Sequence, residues 1–418
     1  IRSFLIGAIS QNISETKNVL ESDDVFSAIN CLRKLGVKIK KKKKGNYLIY
    51  GKGLGSLFAK KNSNLNFGNS GTLARLLIGI LSTTPDIEIK ISGDHSLNKR
   101  NMKKLIDLMS EFGAEFKPKN KFNFPLKLIS TEMPVGINYT AGVSAQLKSA
   151  VILAGLNSFG TTEINEIKAS RDHTEKMLQK NSHAMKIISS PKKIIKIFGK
   201  KYLNPTKITI PGDPSSASFF TALTILNKNS RLLIKKVGLN PTRIGFYELL
   251  KKHGAKIKFI NKKILGNEII GDIEVKSGEL KKPIIASKEF YERTTDEFPI
   301  LFCISALTNG VSIFRGIEDL ANKESNRITE MQKVLKQAGI KSIAKKNEMK
   351  IFGKKNINSE NKKIFVPNLG DHRICMSSTV LSLVTGIETK IKNFETVKTS
   401  SPNFLKLIYK LGAKFEIK

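Results

Sequence analysis

KRNMKKLIDLMSEFGAEF, residues 99–116, decides the reading of the fold. Met102, Leu105, Ile106, Met109 and Phe112 keep the i, i+3, i+4, i+7 spacing of one buried helical face. Gly113 stands where a left-handed C-terminal cap belongs, and an apolar strand follows. The same helix, glycine and strand recur as DDVFSAINCLRKLGVKIK (23–40), TRIGFYELLKKHGAKIKF (242–259), SNRITEMQKVLKQAGIKSI (325–343) and SPNFLKLIYKLGAKFEI (401–417). A weaker copy, RDHTEKMLQKNSHAMKII (171–188), has His183 in the place of the glycine, where a left-handed cap is less comfortable. The six markers Gly36, Gly113, His183, Gly254, Gly339 and Gly412 fall about 70 to 85 residues apart, a regular beat.

A second element also recurs six times, a small polar turn feeding a nearly all-apolar helix: GNSGTLARLLIGIL (68–81), GVSAQLKSAVILAGL (142–156), GDPSSASFFTALTIL (212–226), TDEFPILFCISAL (295–307), GDHRICMSSTVLSLV (370–384) and RSFLIGAI (2–9). Helices apolar all round are predicted to lie buried beneath sheets and the amphipathic helices. Three units per lobe follow, and PTKITIPGDPSSAS (205–218), punctuated by Pro205, Pro211 and Pro214, sets the lobes at 1–210 and 211–418. The chain opens on Ile1, inside a helix already under way, and reads as lacking its true start.

With 72 Lys and Arg against 35 Asp and Glu, the net charge is +37. That excess suits nucleic acid, an anionic membrane surface or small acidic substrates. Lysines are scattered through almost every segment, so most of it is expected to be compositional bias, and Lys40–Lys44 reads as a solvated hairpin end. There is no Trp and no RNP-like pattern to support specific nucleic-acid binding. Cys31, Cys303 and Cys375 are far apart in apolar helical stretches, suggesting neither disulfides nor zinc and fitting a reducing cytosol. No apolar run reaches the length of a membrane span.

The starts of the buried helices offer unpaired N–H groups and the positive end of the helix dipole. If these turns converge on one cleft, they form an electropositive site without a metal. Gly68–Thr72 with Arg75, Lys99 and Arg100, Arg171–His173, Lys323 with Glu324 and Arg327, and Asp371–Arg373 lie at such places. Lys323 and Arg327 are expected to share a helix face. Arginine suits phosphate and carboxylate because its planar fork binds them through paired hydrogen bonds. Asp296 and Glu324 could move protons if burial or substrate charge tuned them, although Asp296 could equally be a helix N-cap.

In order along the chain, GNSGT, SGDHSLNKR, GVSAQLKSAVILAGL, SRDHTEKML, PGDPSSASFF, DEFPIL, KESNRI and GDHRICMS resemble the 5-enolpyruvylshikimate-3-phosphate (EPSP) synthases, most closely the bacterial branch with SAQ and RDHTEKML motifs. The resemblance implies an α/β fold of two similar lobes, each of three βαβαββ-type units in an inverse α/β barrel, with the active site in the interlobe cleft. It implies transfer of the enolpyruvyl group of phosphoenolpyruvate to the 5-hydroxyl of shikimate 3-phosphate by a cytoplasmic monomer, with no metal or organic cofactor and no membrane or specific nucleic-acid partner. Carried over by residue, Arg2, Ser144, Ala145, Gln146, Arg171, Asp296 and Lys323 would contact shikimate 3-phosphate. Gly71, Arg100, Gln146, Arg327 and Arg373 would hold phosphoenolpyruvate, with Asn69 shaping the same turn. Asp296 would take the proton of the 5-hydroxyl, and Glu324 would serve the methylene carbon.

The chain departs from that pattern in three places. The family's leading PGDKSxSH segment, with a lysine and serine that touch both substrates, is absent; Asn101 replaces a proline after Lys99–Arg100; and Thr399, beside Lys398, stands where a lysine is frequent. Three other readings compete. A UDP-N-acetylglucosamine enolpyruvyl transferase would carry a reactive loop cysteine, which none of the three cysteines resembles. A truncated, inactive fragment and a basic nucleic-acid-binding protein complete the alternatives.

Overall fold

The computed structural model describes residues 1–60, 63–189 and 192–417. The chain divides into two compact units, Ile1–Ile210 and Pro211–Lys418. Each has its own apolar core.

The second repeat of the first unit shows the pattern in full. Strand Asn64–Asn66 leads into the buried helix Gly71–Ser82, then strand Glu88–Ser92, the amphipathic helix Lys103–Glu111, and the hairpin strands Glu115–Lys117 and Leu126–Ile129. The first two strands pair in parallel, and the hairpin adds antiparallel with its later strand inside. Strands Asn138–Ala141, Thr161–Glu166, Lys193–Phe198 and Met185–Ile188 repeat that order. In the first repeat the leading strand comes from the far end of the unit: Lys207–Thr209 lies parallel to Ile13–Lys17. The lysine run forms one arm of the hairpin Ile39–Lys43 and Asn46–Tyr50. In the second unit, Ile285–Ala286, Gly310–Arg315, Glu348–Gly353 and Ser342–Lys345 form the same four-stranded sheet. Its other two sheets among the described residues have fewer strands, one of three and one a parallel pair, Lys363–Val366 with Glu388–Ile391.

Among the described residues six nearly all-apolar helices fill the cores, as their sequences predict. In the first unit Gly71–Ser82 packs against both Arg2–Ile9 and Ala145–Gly155. In the second, Pro214–Leu226, Phe298–Ala306 and His372–Thr385 pack pairwise on one another. Five of the six cap markers, Gly36, Gly113, Gly254, Gly339 and Gly412, have left-handed backbone. His183 does not: its helix stops at Leu178, and its ring instead bonds the Tyr202 carbonyl at 2.7 Å. All three cysteines are buried and unpaired.

Gly79 lets the helices Gly71–Ser82 and Ala145–Gly155 approach closely: an added Cβ would meet the Ala150 carbonyl oxygen at 2.6 Å and its Cα at 3.0 Å. Both obstacles are helix backbone, which cannot swing aside. Gly79→Ala should therefore destabilise the unit by about 1–3 kcal/mol despite Ala's better helix propensity. Denaturant unfolding checks this, with a midpoint that falls.

Candidate active site

In the first unit, polar helix starts gather their side chains around Gly71. Ser70 caps the Gly71–Ser82 helix by accepting from Leu73 N–H, and Ser144 caps Ala145–Gly155 by accepting from Leu147 N–H. Gln146 spans the two starts, donating through Nε2 to Thr72 Oγ1 at 2.9 Å and accepting from Arg75 Nη1 at 3.0 Å. Arg100 donates to Asn69 Oδ1 at 3.1 Å, and Asn69 donates to Asp94 at 2.7 Å. A Cβ on Gly71 would lie 2.8 Å from a guanidinium nitrogen of both Arg75 and Arg100. Gly71 is thus the gap through which two cations flank a helix N-terminus, an arrangement fit for an anion. The Asn101 side chain accepts from Lys103 N–H at 2.7 Å, a local turn at the start of the Lys103–Glu111 helix.

Arg2 and the Arg171 segment meet nearby in the same unit. Arg2 Nε donates to Thr174 Oγ1 at 2.9 Å, and Thr174 shares a 2.8 Å hydroxyl contact with Ser149. Arg171 and Ser144–Gln146 are all half-buried, open enough to meet a ligand.

The second unit is organised by Arg327, which is 1% exposed. Its Nε donates to Asp371 at 2.9 Å, its Nη2 lies 2.5 Å from Glu324, and its Nη1 is 3.7 Å from Asp296. Burial works against the guanidinium charge, but Asp371, Glu324 and Asp296 outweigh it and hold the group firmly protonated. Asp371 is shared: it also caps the His372–Thr385 helix by accepting from Arg373 N–H at 2.9 Å. Both candidate proton carriers, Asp296 and Glu324, are therefore oriented by one buried cation.

Two expectations are corrected here. Lys323 and Arg327 do not share a helix face, because Asn326 caps a helix that begins only at Arg327 and Lys323 lies in extended backbone before it. Lys323 instead pairs with Asp319 at 2.6 Å, which also accepts from the Tyr291 hydroxyl. Asp296 is not an N-cap: the cap position of Phe298–Ala306 is Glu297, which makes no side-chain cap bond.

Arg373 is 7% exposed, its guanidinium lies 5.8 Å over the Phe219 ring, and its Nε and Nη1 have no hydrogen-bond partner among the described residues. Buried donors of that kind can receive a phosphate or carboxylate. Sequence reasoning missed Arg243, which binds Asp213 at 2.8 Å and Ser215 at 2.7 Å and fixes the start of the Pro214–Leu226 helix. Its only signal was an arginine in a lysine-rich chain. Thr399 Oγ1 sits 3.4 Å from His372 Nδ1, while Lys398 pairs with Glu395 near the surface. Among the described residues no cluster of His, Cys, Asp or Glu could hold a metal, and no helix is long and apolar enough to cross a membrane.

The architecture is of the enolpyruvyl transferase-like type. The fold matches the enolpyruvyl transferase NikO from Streptomyces tendae with a TM-score of 0.75 at 14% identity, covering 99% of this chain and 92% of that one. The chain belongs to the EPSP synthase (3-phosphoshikimate 1-carboxyvinyltransferase) family, whose family model matches residues 1–408. It is 36% identical to the 3-phosphoshikimate 1-carboxyvinyltransferase of Zymomonas mobilis, over 100% of this chain and 92% of that protein. The Bacillus subtilis enzyme of the same name is 35% identical, over 99% and 94%. The EPSP synthase structure from Acinetobacter baumannii superposes with a TM-score of 0.83 at 33% identity, covering 100% of this chain and 94% of that one.

His372 carries a pH signature of the second-unit site. Burial, helped by Arg373, lowers its pKa from the usual 6.5 to about 4, so the folded ring stays neutral where the unfolded one takes a proton. Stability from this group is present above pH 6.5 and is lost as pH falls toward 4, by about 2 kcal/mol between pH 7.5 and 5. Urea unfolding of the parent and of His372→Gln at these two pH values should show the smaller loss in the variant.

Proposed function

We propose that this chain transfers the enolpyruvyl group of phosphoenolpyruvate to the 5-hydroxyl of shikimate 3-phosphate, releasing phosphate, as a cytoplasmic monomer. Family membership carries the reading, and the pairing of Asp296 and Glu324 on Arg327 supports it in chemical terms. In the addition step the 5-hydroxyl oxygen bonds to C2 of phosphoenolpyruvate, its proton goes to Asp296, and C3 gains a proton from Glu324. In the elimination step the C2–O bond to phosphate breaks, C3 returns a proton to Glu324, the proton held by Asp296 leaves with the departing phosphate, and the enol ether forms. Carboxylates held beside a cation can pass protons both ways without either becoming a stranded buried charge.

Arg2, Ser144, Ala145, Gln146 and Arg171 of the first unit bind shikimate 3-phosphate, as do Asp296 and Lys323 of the second. Gly71, Arg100 and Gln146 of the first unit and Arg327 and Arg373 of the second bind phosphoenolpyruvate. Every substrate anion then meets arginine or a helix start.

Phosphate release from phosphoenolpyruvate is expected to require shikimate 3-phosphate, and turnover of UDP-N-acetylglucosamine in its place would sink the assignment. Asp296→Asn and Glu324→Gln should each lower kcat on the order of 10²–10⁴-fold. Arg100→Ala should act mainly on the KM for phosphoenolpyruvate, and steady-state kinetics separates the two effects.

A further inference from the structure

We propose that Lys148 is the positioning residue of the shikimate 3-phosphate subsite, an inference that rests on the functional reading above. Lys148 interrupts the apolar helix Ala145–Gly155 and is wholly buried. Its Nζ lies 2.6 Å from Glu166 Oε1 and 2.6 Å from Glu175 Oε1. Lys193 completes the cluster, 2.5 Å from Glu166 and 3.9 Å from Glu175. Two ammonium groups thus balance two carboxylates.

A buried ion cluster is weak as a source of stability, because desolvation offsets most of its attraction. Its value here is geometric. Glu166 ends strand Thr161–Glu166 and Glu175 lies in helix His173–Leu178, so Lys148 bolts the helix bearing Ser144, Ala145 and Gln146 to both ends of the segment that carries Arg171. Glu166 Oε1 also accepts from Ser170 N–H and Ser170 Oγ, each at 2.9 Å, which fixes the backbone immediately before Arg171. One residue along the helix, Ser149 contacts Thr174, and Thr174 accepts from Arg2. Three segments remote in sequence, holding five proposed shikimate 3-phosphate ligands, are thereby joined through Lys148 and its neighbour. The ammonium itself is enclosed by carboxylates and closed to solvent.

The double variant Lys148→Met/Glu175→Gln removes one charge of each sign and strands none. Its Kd for shikimate 3-phosphate, by calorimetry without phosphoenolpyruvate, should rise at least roughly tenfold, because misplaced ligands lose their joint geometry. The KM for phosphoenolpyruvate, whose proposed subsite shares only Gln146 with this one, should rise by a smaller factor than that Kd. Unchanged shikimate 3-phosphate affinity in a variant with the parent's circular dichroism, or equal weakening toward both substrates, overturns the proposal. Should the double variant fail to fold, Ser170→Ala keeps all four charges; it is expected to weaken shikimate 3-phosphate binding about threefold, a hydrogen bond's worth, and parental affinity overturns the proposal. A parent chain that does not bind shikimate 3-phosphate overturns the functional reading as well, whereas parental binding with unaffected variants overturns only the role of Lys148.

Discussion

A helix apolar on every face satisfies its backbone everywhere except at its ends, where the first four N–H groups have no internal partner. Among the described residues six largely apolar helices fill the two cores, and their first turns carry capping side chains and cations. Ser70, Ser144, Asp213 and Asp371 each meet that demand by accepting from a first-turn N–H. Those turns are also where Gly71, Gln146, Arg243 and Arg373 cluster. Burial of the helices and the gathering of donors at their starts are therefore one constraint, since a capped helix start presents donors and positive potential suited to an anion.

The two units use that constraint differently. Around Gly71 the ring of Arg75, Arg100, Asn69, Thr72 and Gln146 is built from cations and amides, suited to hold an anion. Around Arg327 the balance is reversed, with Asp296, Glu324 and Asp371 all directed at one guanidinium. Asp371 couples capping to chemistry, because the carboxylate that ends the His372–Thr385 helix also orients the arginine that orients the acids.

Much of this was legible in the sequence, and for a physical reason. Helix faces and caps are local: the spacing of Met102, Leu105, Ile106 and Met109 and the glycine at Gly113 specify a helix and its stop without reference to anything distant. The candidate site residues stood out in the sequence where arginine broke a lysine background. What stayed hidden depends on contacts between remote segments. Lys148 is one lysine among many until Glu166 and Glu175 are seen to close on it, and Arg243 is ordinary until Asp213 and Ser215 arrive. Helical spacing misled at Lys323 and Arg327, because a cap at Asn326 begins the helix after the first of the pair. His183 lacked the freedom of glycine, and there the chain took a different turn.

In the proposed reaction Glu324 and Asp296 carry protons to and from carbon and oxygen in an addition followed by an elimination. The most direct test is to run the reaction with phosphoenolpyruvate and shikimate 3-phosphate in heavy water and examine the vinyl group of the product by mass spectrometry. The account predicts solvent deuterium in that group, because C3 gains a proton from the protein and later loses one. Release of phosphate with a vinyl group free of deuterium, or release that does not depend on shikimate 3-phosphate, would contradict it.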